Sequence, residues 1–182
     1  MKNYLSIFLI LLLSSCSDKK TLDLGKFTIS IPNSWNFIKE KGIDSYVGKI
    51  AIDETDTLFF DLGWYSSPLD EELPYMIEGN RVLVINKEKS NHNSSFYDYY
   101  GELDTVDLSK FLKNKVSFER LENRNAKIVI PRKPGYGTTG IFIDSLWVSG
   151  DGIDRFTLCG ENLNPQNEKL FLEAIRTIKF RK

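Results

Sequence analysis

Residues 46–65 read YVGKIAIDETDTLFFDLGWY, two strand-like segments separated by a short polar link. In the second segment apolar side chains occupy every other position: Leu58, Phe60, Leu62 and Trp64. A period of two places such side chains on one face of a sheet. Because the link Glu54-Thr55-Asp56 is short, segments 46–53 and 57–65 are predicted to pair as an antiparallel hairpin.

Strand-like segments continue on both sides of this hairpin. Phe27, Ile29 and Ile31 alternate with polar residues until Pro32 ends the pattern. Residues 66–79 predict a loop with one helical turn, because they contain two prolines and a glycine. Further strands are predicted at 81–85, 116–121, 126–130, 140–148, 154–159 and 179–181.

Two segments have the spacing of amphipathic helices. Asp107 is the predicted N-cap of a helix over 108–115, and Asn164 to Gln166 open a final helix. No internal repeat or linker divides the chain. The sequence therefore predicts a single α+β domain over residues 25–182, a mostly antiparallel sheet flanked by helices.

Composition excludes several classes of protein. Of the 182 residues, 41% are hydrophobic and 27% are charged, an ordinary globular mixture. The formal net charge is −1 with no long basic block, which disfavours a nucleic acid partner. One histidine and two cysteines exclude a multi-histidine metal site and a disulfide-dense scaffold, and nothing in the sequence requires a cofactor.

The N-terminal residues MKNYLSIFLILLLSSC have the features of a signal peptide, with Lys2 ahead of a short apolar run. The ending Leu13-Ser14-Ser15-Cys16 resembles the lipobox of bacterial lipoproteins. That resemblance implies removal of residues 1–15, cleavage between Ser15 and Cys16, and lipid on Cys16. An ordinary secretory signal and an uncleaved anchor remain as alternatives.

In the lipoprotein interpretation, residues 16–24 are a lipidated N-terminus and short tether that bind the chain to a membrane. Ser17, rather than Asp, follows the lipidated cysteine. By resemblance to enterobacterial sorting, this favours the cell envelope, at the outer membrane facing the periplasm.

Both ends of the predicted domain resemble PsbP-like domains. The opening Phe27-Thr28-Ile29-Ser30-Ile31-Pro32, followed by Trp35, is similar to the family's first strand, and residues 171–180 are similar to its closing helix and strand. The family includes a photosystem extrinsic subunit, a Ran-binding transport factor and bacterial lipoproteins. The resemblance implies an α/β/α sandwich and an assembly or binding role, and it carries over no functional residue.

Residues 135–140 read GYGTTG, the spacing of the dinucleotide-binding fingerprint. That site needs a helix immediately afterwards, whereas residues 141–148 are rich in β-branched and aromatic side chains. The favoured interpretation is a flexible connection between strands, with glycines at positive φ. Arg132, Lys133 and Tyr136 in the same loop form a candidate grip for an anionic partner, with a merely solvated loop as the alternative.

The other candidates have ordinary explanations. The acidic groups at 53–56, 70–72, 104–107 and 151–154 lack the spacing of a calcium loop, and Asp151-Gly152 is better explained as a hairpin turn. His92 lies in a predicted polar loop at 88–96, and Cys159 is interpreted as a small buried hydrophobe rather than a reactive thiol.

No catalytic set or metal site is evident, so we expect a lipid-anchored envelope binding or assembly module, not an enzyme, with an envelope protein as partner. Two alternatives stay open. A hydrolase or transferase would show a cleft with two convergent carboxyl groups of different pKa. A small-ligand or lipid carrier would show a dry cavity lined by aromatic residues.

Overall fold

A computed structural model describes residues 19–91 and 95–181. Ser15, Cys16 and His92 lie outside the described residues, so the predictions made for them stay predictions. The strands, in chain order, are β1 Lys19–Asp23, β2 Phe27–Pro32, β3 Asn36–Lys39, β4 Tyr46–Ala51, β5 Thr57–Gly63, β6 Tyr75–Glu78, β7 Arg81–Ile85, β8 Tyr97–Glu102, β9 Asn114–Leu121, β10 Arg124–Pro131, β11 Thr138–Ser149, β12 Gly152–Glu161 and β13 Lys179–Phe180. A 3-10 helix spans Leu108–Phe111, and the helix α1 spans Pro165–Ile175.

The strands form three antiparallel sheets. The main sheet has seven strands in the order β3-β4-β5-β12-β11-β10-β9. A second sheet has the order β1-β2-β13, and a third has the order β6-β7-β8. Among the described residues, strand accounts for 54% and helix for 9%, and α1 is the one α-helix there.

These proportions correct the predicted fold class. The sheet is mostly antiparallel, as expected, but it is not flanked by helices, so the α+β assignment and the α/β/α sandwich are both wrong. The second layer is supplied by strands, since β1, β2 and β13 pack beside α1 over the main sheet. The molecule is a sheet-rich β fold.

The central hairpin forms where the sequence predicts it. Strands β4 and β5 pair antiparallel, with Tyr46 opposite Leu62 and Ala51 opposite Thr57. Leu58, Phe60 and Leu62 are all buried, as their alternation requires. Trp64 lies beyond the end of β5 and is exposed. The strands predicted at 27–31, 81–85, 116–121, 126–130, 140–148 and 154–159 are also observed.

Three local predictions are wrong. The helix expected over 108–115 is a single 3-10 turn, although Asp107 does cap it through the backbone N–H of Ser109 at 3.0 Å. It ends early because Asn114 already belongs to β9, which pairs with β10. The loop expected over 66–79 contains the strand β6. In the expected tether, Lys19–Asp23 form β1, which pairs with β2 along its length.

The core lies between the main sheet and the layer formed by β2 and α1. The ring of Phe27 on β2 meets the rings of Phe60 and Phe156 on the main sheet edge-on, with centroids 5.2 and 4.9 Å apart. Helix α1 begins after Asn164, which accepts a hydrogen bond from the Gln166 N–H, and Pro165 occupies its first turn. Phe171, Ala174 and Ile175 turn inward from it.

Residues 64–74 form a strap that crosses the opposite face of the main sheet. The Thr157 hydroxyl on β12 donates to the carbonyl of Ser67, and the Lys127 ammonium on β10 donates to the carbonyl of Pro68 at 2.8 Å. At the far side, the Glu71 carboxylate accepts the backbone N–H groups of Lys113 and Asn114 at 2.6 and 3.0 Å. The strap therefore ties β12, β10 and the start of β9 together.

Candidate functional site

The loop that joins β10 to β11 carries the three residues singled out in the sequence. Within it, Lys133-Pro134-Gly135-Tyr136 form a tight turn, closed by the Tyr136 N–H donating to the Lys133 carbonyl at 3.0 Å. Proline at the second position and a glycine with φ +77° at the third are what a type II turn requires. The turn places Lys133 and Tyr136 side by side on the surface.

Hydrogen bonds to both flanks fix this loop. Asn114, which is buried, accepts the Thr138 N–H on its side-chain oxygen and the Arg132 Nε–H on its backbone carbonyl. Asn162 holds Gly137 from the other side through two bonds of 2.8 and 2.9 Å. The expectation of a glycine-containing connection between strands is confirmed, but the connection is anchored rather than loose.

The loop forms one wall of an open pocket of about 310 Å³, which we call the basic pocket. The 3-10 helix and the residues after it form a second wall. Pro74, just before β6, and Lys87, just after β7, close the pocket. Its lining combines five cations with two aromatic rings and two further apolar side chains: Lys87, Lys110, Lys113, Arg132, Lys133, Phe111, Tyr136, Pro74 and Leu112.

The five cations come from three separate parts of the chain. Lys87 follows β7, Lys110 and Lys113 belong to the segment before β9, and Arg132 and Lys133 belong to the loop after β10. The sequence indicated the last two, because they are adjacent. The other three are too far away in sequence to be recognised, and no local signal identifies them.

None of the five cations forms an ion pair within the described residues, although nine other pairs are present there. The Asp107 carboxylate lies in their electrostatic field. The pKa of Asp107 is lowered, first by hydrogen bonds from Ser109 and further by the charges of Lys110 and Arg132. The Lys113 ammonium lies 5.6 Å from the centre of the Tyr136 ring, a cation–π contact.

A second cavity of about 420 Å³ adjoins the basic pocket and shares Lys113 and Tyr136 with it. Its acidic lining comes from the strap and the end of β12, as Asp70, Glu71, Glu72 and Glu161. Three of these carboxylates are already engaged. Asp70 pairs with the Lys127 ammonium, Glu71 holds two backbone N–H groups, and Glu161 accepts the Thr138 hydroxyl at 2.6 Å.

The remaining sequence candidates are now placed. Gly140 of GYGTTG lies inside β11, so no helix follows the glycines. Asp151 lies in the turn between β11 and β12, where Ser149 pairs with Gly152. Within residues 19–91 and 95–181, no three His, Cys, Asp or Glu side chains converge as metal ligands would. Burial raises the pKa of the Cys159 thiol to about 11, with a smaller contribution from Glu161.

Comparison with known proteins supplies no relative: no protein-family model, curated protein or solved structure matches this chain. Kinship with PsbP-like domains therefore stays a prediction that depends on the two terminal segments. No helix of the described residues combines the length and apolar character that crossing a bilayer requires.

Proposed function

We propose that this protein is a lipid-anchored binding module of the cell envelope that holds an acidic segment of a partner protein in the basic pocket. One observation carries the proposal. Five cations surround an open pocket and have no ion pair among the described residues, in a chain whose formal net charge is −1. Like charges placed together repel, so such a cluster gains most from an external anion.

The form of the pocket favours a peptide over a single small anion. Four of the five cations are lysines, which act as separate mobile charges rather than as a rigid fork. They come from three separate segments of the chain. Phe111 and Tyr136 between them offer apolar surface of the kind that binds a peptide backbone and its aliphatic side chains.

The two alternatives from the sequence lack their expected marks. Among the described residues, the carboxyl groups whose pKa is raised are Asp61 and Glu168. Burial is the chief cause for both, with a smaller contribution from Asp44 for Asp61, and neither group lines the acidic cavity. A hydrolase would place such a group with a second carboxylate in one cleft. A carrier needs a dry aromatic cavity, yet Phe27, Phe60 and Phe156 pack against one another.

The anchor is a separate part of the proposal. If Cys16 carries the lipid, two residues separate it from β1, so the fold begins at most about 11 Å along the chain from the anchor. Intact mass of the native protein should show loss of residues 1–15 and added lipid, and Cys16→Ser should leave an unlipidated precursor. A mature form of unmodified mass would contradict the anchor without affecting the basic pocket.

The pocket is tested with a labelled peptide of alternating Glu and Gly, and with its Gln counterpart. The full chain in mild detergent should bind the Glu peptide and should not bind the Gln peptide. Arg132→Glu combined with Lys133→Glu should weaken binding by about tenfold or more, because two attractive charges become repulsive. Lys41→Glu with Lys179→Glu is the matched control, since both are exposed, carry the same charge change and lie outside the pocket.

Equal loss in both double variants would mean that net charge alone governs binding, and would contradict the proposal. Phosphatidylglycerol vesicles provide a further arm, studied with residues 17–182 alone, so that neither lipid on Cys16 nor the apolar run within residues 1–15 binds the vesicles. If the vesicles bind through Arg132 and Lys133 while the Glu peptide does not, the partner is an anionic membrane surface. The proposal that the pocket binds a partner protein is then wrong.

A further inference from the structure

Strand β9 leaves the longest free edge of the main sheet. It bonds to β10 on one side and has no neighbouring strand on the other among the described residues. The other edge strand of this sheet, β3, is four residues long, whereas β9 has eight residues. A long unpaired edge presents a row of N–H and C=O groups that can pair with another strand.

One face of β9 carries apolar side chains that do not protect this edge. Val116 and Phe118 are 52% and 75% exposed and lie on the same face of the strand. Phe118 borders a groove of about 300 Å³ that leaves its ring uncovered. Free edges usually carry charges or proline at such positions, so two neighbouring exposed apolar side chains indicate a surface that another chain covers.

We propose that β9 pairs antiparallel with β9 of a second copy of this chain, with Ser117 opposite its own counterpart. In an antiparallel pair the outward N–H and C=O groups occur on alternate residues, so only every second register forms hydrogen bonds. In this register Val116 lies opposite Phe118 of the second copy, and Lys115 lies opposite its Glu119. Two-fold symmetry provides each of these contacts twice.

The neighbouring hydrogen-bonded registers lose this complementarity. Centring the pair on Val116 places Lys115 opposite Ser117, and centring it on Phe118 places Glu119 opposite Ser117. Only the Ser117 register pairs both charges and both apolar residues. Cross-strand pairs of these two kinds are the contacts that stabilise antiparallel sheets.

The rest of the fold leaves this part of the edge open. The Glu71 carboxylate occupies the N–H groups of Lys113 and Asn114, so pairing begins after them. Arg176, which follows the last residue of α1, holds the Glu119 carboxylate from the helix side at 2.9 and 3.3 Å, which fixes its position at the edge. Residues 115–119 of each copy are then available to each other.

A disulfide across the two-fold axis tests the register. Ser117→Cys in the full chain, in native membranes with copper-phenanthroline as oxidant, should give a covalent dimer, because paired Cα atoms of antiparallel strands lie within disulfide range. Lys115→Cys is the matched control. Residue 115 is also exposed on β9, but in this register it lies opposite Glu119 of the second copy rather than opposite residue 115. If Ser117→Cys gives no more dimer than Lys115→Cys, the proposal is wrong.

Charge reversal tests the pairing independently. In the Ser117→Cys background, Lys115→Glu and Glu119→Lys should each reduce the dimer about tenfold, since each places like charges opposite one another twice. Mixing the two variants should restore it, because every cross-strand pair then joins opposite charges. Circular dichroism confirms that each variant is folded. Persistence of the dimer in the single variants, or no recovery on mixing, would overturn the proposal.

Discussion

The side-chain oxygen of Asn114 accepts the backbone N–H of Thr138 at 2.9 Å, which ties the first residue of β9 to the first residue of β11. The backbone carbonyl of the same asparagine accepts the guanidinium of Arg132. One buried residue thus links the edge strand to the loop that provides two of the five cations of the basic pocket. The stability of the fold and the shape of the pocket are coupled at this point.

Asn114→Ala should therefore affect both properties. Removing the acceptor leaves the Thr138 N–H without its partner, which should lower the free energy of unfolding by about 1–3 kcal/mol in urea denaturation. Binding of the Glu peptide should weaken as well, because the loop loses an attachment. Asn125→Ala, at an exposed position on β10, is the control and should change stability by less than about 0.5 kcal/mol.

Two glycines of the loop should differ sharply when each is replaced by alanine. Gly137 has φ +138°, and a Cβ there would overlap the side-chain oxygen of Asn114. Gly137→Ala should cost about 2–4 kcal/mol, from backbone strain and from that overlap. Gly135 has φ +77° and no atom closer than 3.8 Å to an added Cβ, so Gly135→Ala should cost only about 1–2 kcal/mol. Equal losses would contradict the close packing of Gly137 on Asn114.

The turn between β4 and β5 should make stability depend on pH. Backbone N–H groups of Asp56 and Thr55, then the Asn167 amide, lower the pKa of Asp53 from 3.8 to about 2. The ionised form therefore stabilises the fold above the unfolded pKa, and this contribution is lost as the pH falls towards about 2.

Asp53→Asn removes that dependence. Its melting temperature should lie below that of the unmodified protein at pH 7, and the difference should shrink as the pH is lowered from about 5 towards 2. Asp151→Asn, in the turn between β11 and β12, is the control for the loss of one carboxylate. A difference that stayed constant over this range would show that the Asp53 charge contributes nothing.

Cys159 should behave as an unreactive thiol. Because burial raises its pKa to about 11, the thiolate is scarce at pH 7.5, and alkylation by iodoacetamide should be slow. The rate should rise steeply towards pH 11. At pH 7.5 the thiol should react at the rate of a free thiol only once the chain is unfolded, as followed by mass spectrometry of the peptide that contains Cys159. Rapid labelling of the folded protein at neutral pH would contradict the burial.

The local patterns of the sequence predict most of the strands. They do not predict that strands, rather than helices, form most of the layer that packs on the main sheet. Alternation in residues 57–62 places β5 correctly, and Asn164 marks the start of α1, because both signals are local. β1 is missed because its residues, Lys-Lys-Thr-Leu-Asp, include a single apolar side chain and resemble a tether. Its stability comes from pairing with β2, which no local pattern records.

In the candidate site, too, the residues with a local sequence signal could be predicted and those brought together by the fold could not. Arg132 and Lys133 are adjacent in sequence, so their loop could be identified as an exception in a slightly acidic chain. Lys87, Lys110 and Lys113 join them only because the strap and the pairing of β9 with β10 bring those segments together. Cationic clusters assembled from distant segments are a property of the tertiary structure alone.

Zero-length carbodiimide coupling of the Glu peptide to the full chain, read out by mass spectrometry, tests the central claim most directly. Coupling joins a carboxylate to a lysine that it contacts, so each product identifies a contact. The account predicts that conjugates concentrate at Lys87, Lys110, Lys113 and Lys133, and that Arg132→Glu reduces them. Conjugates distributed equally over exposed lysines outside the pocket, such as Lys41 and Lys179, would contradict it.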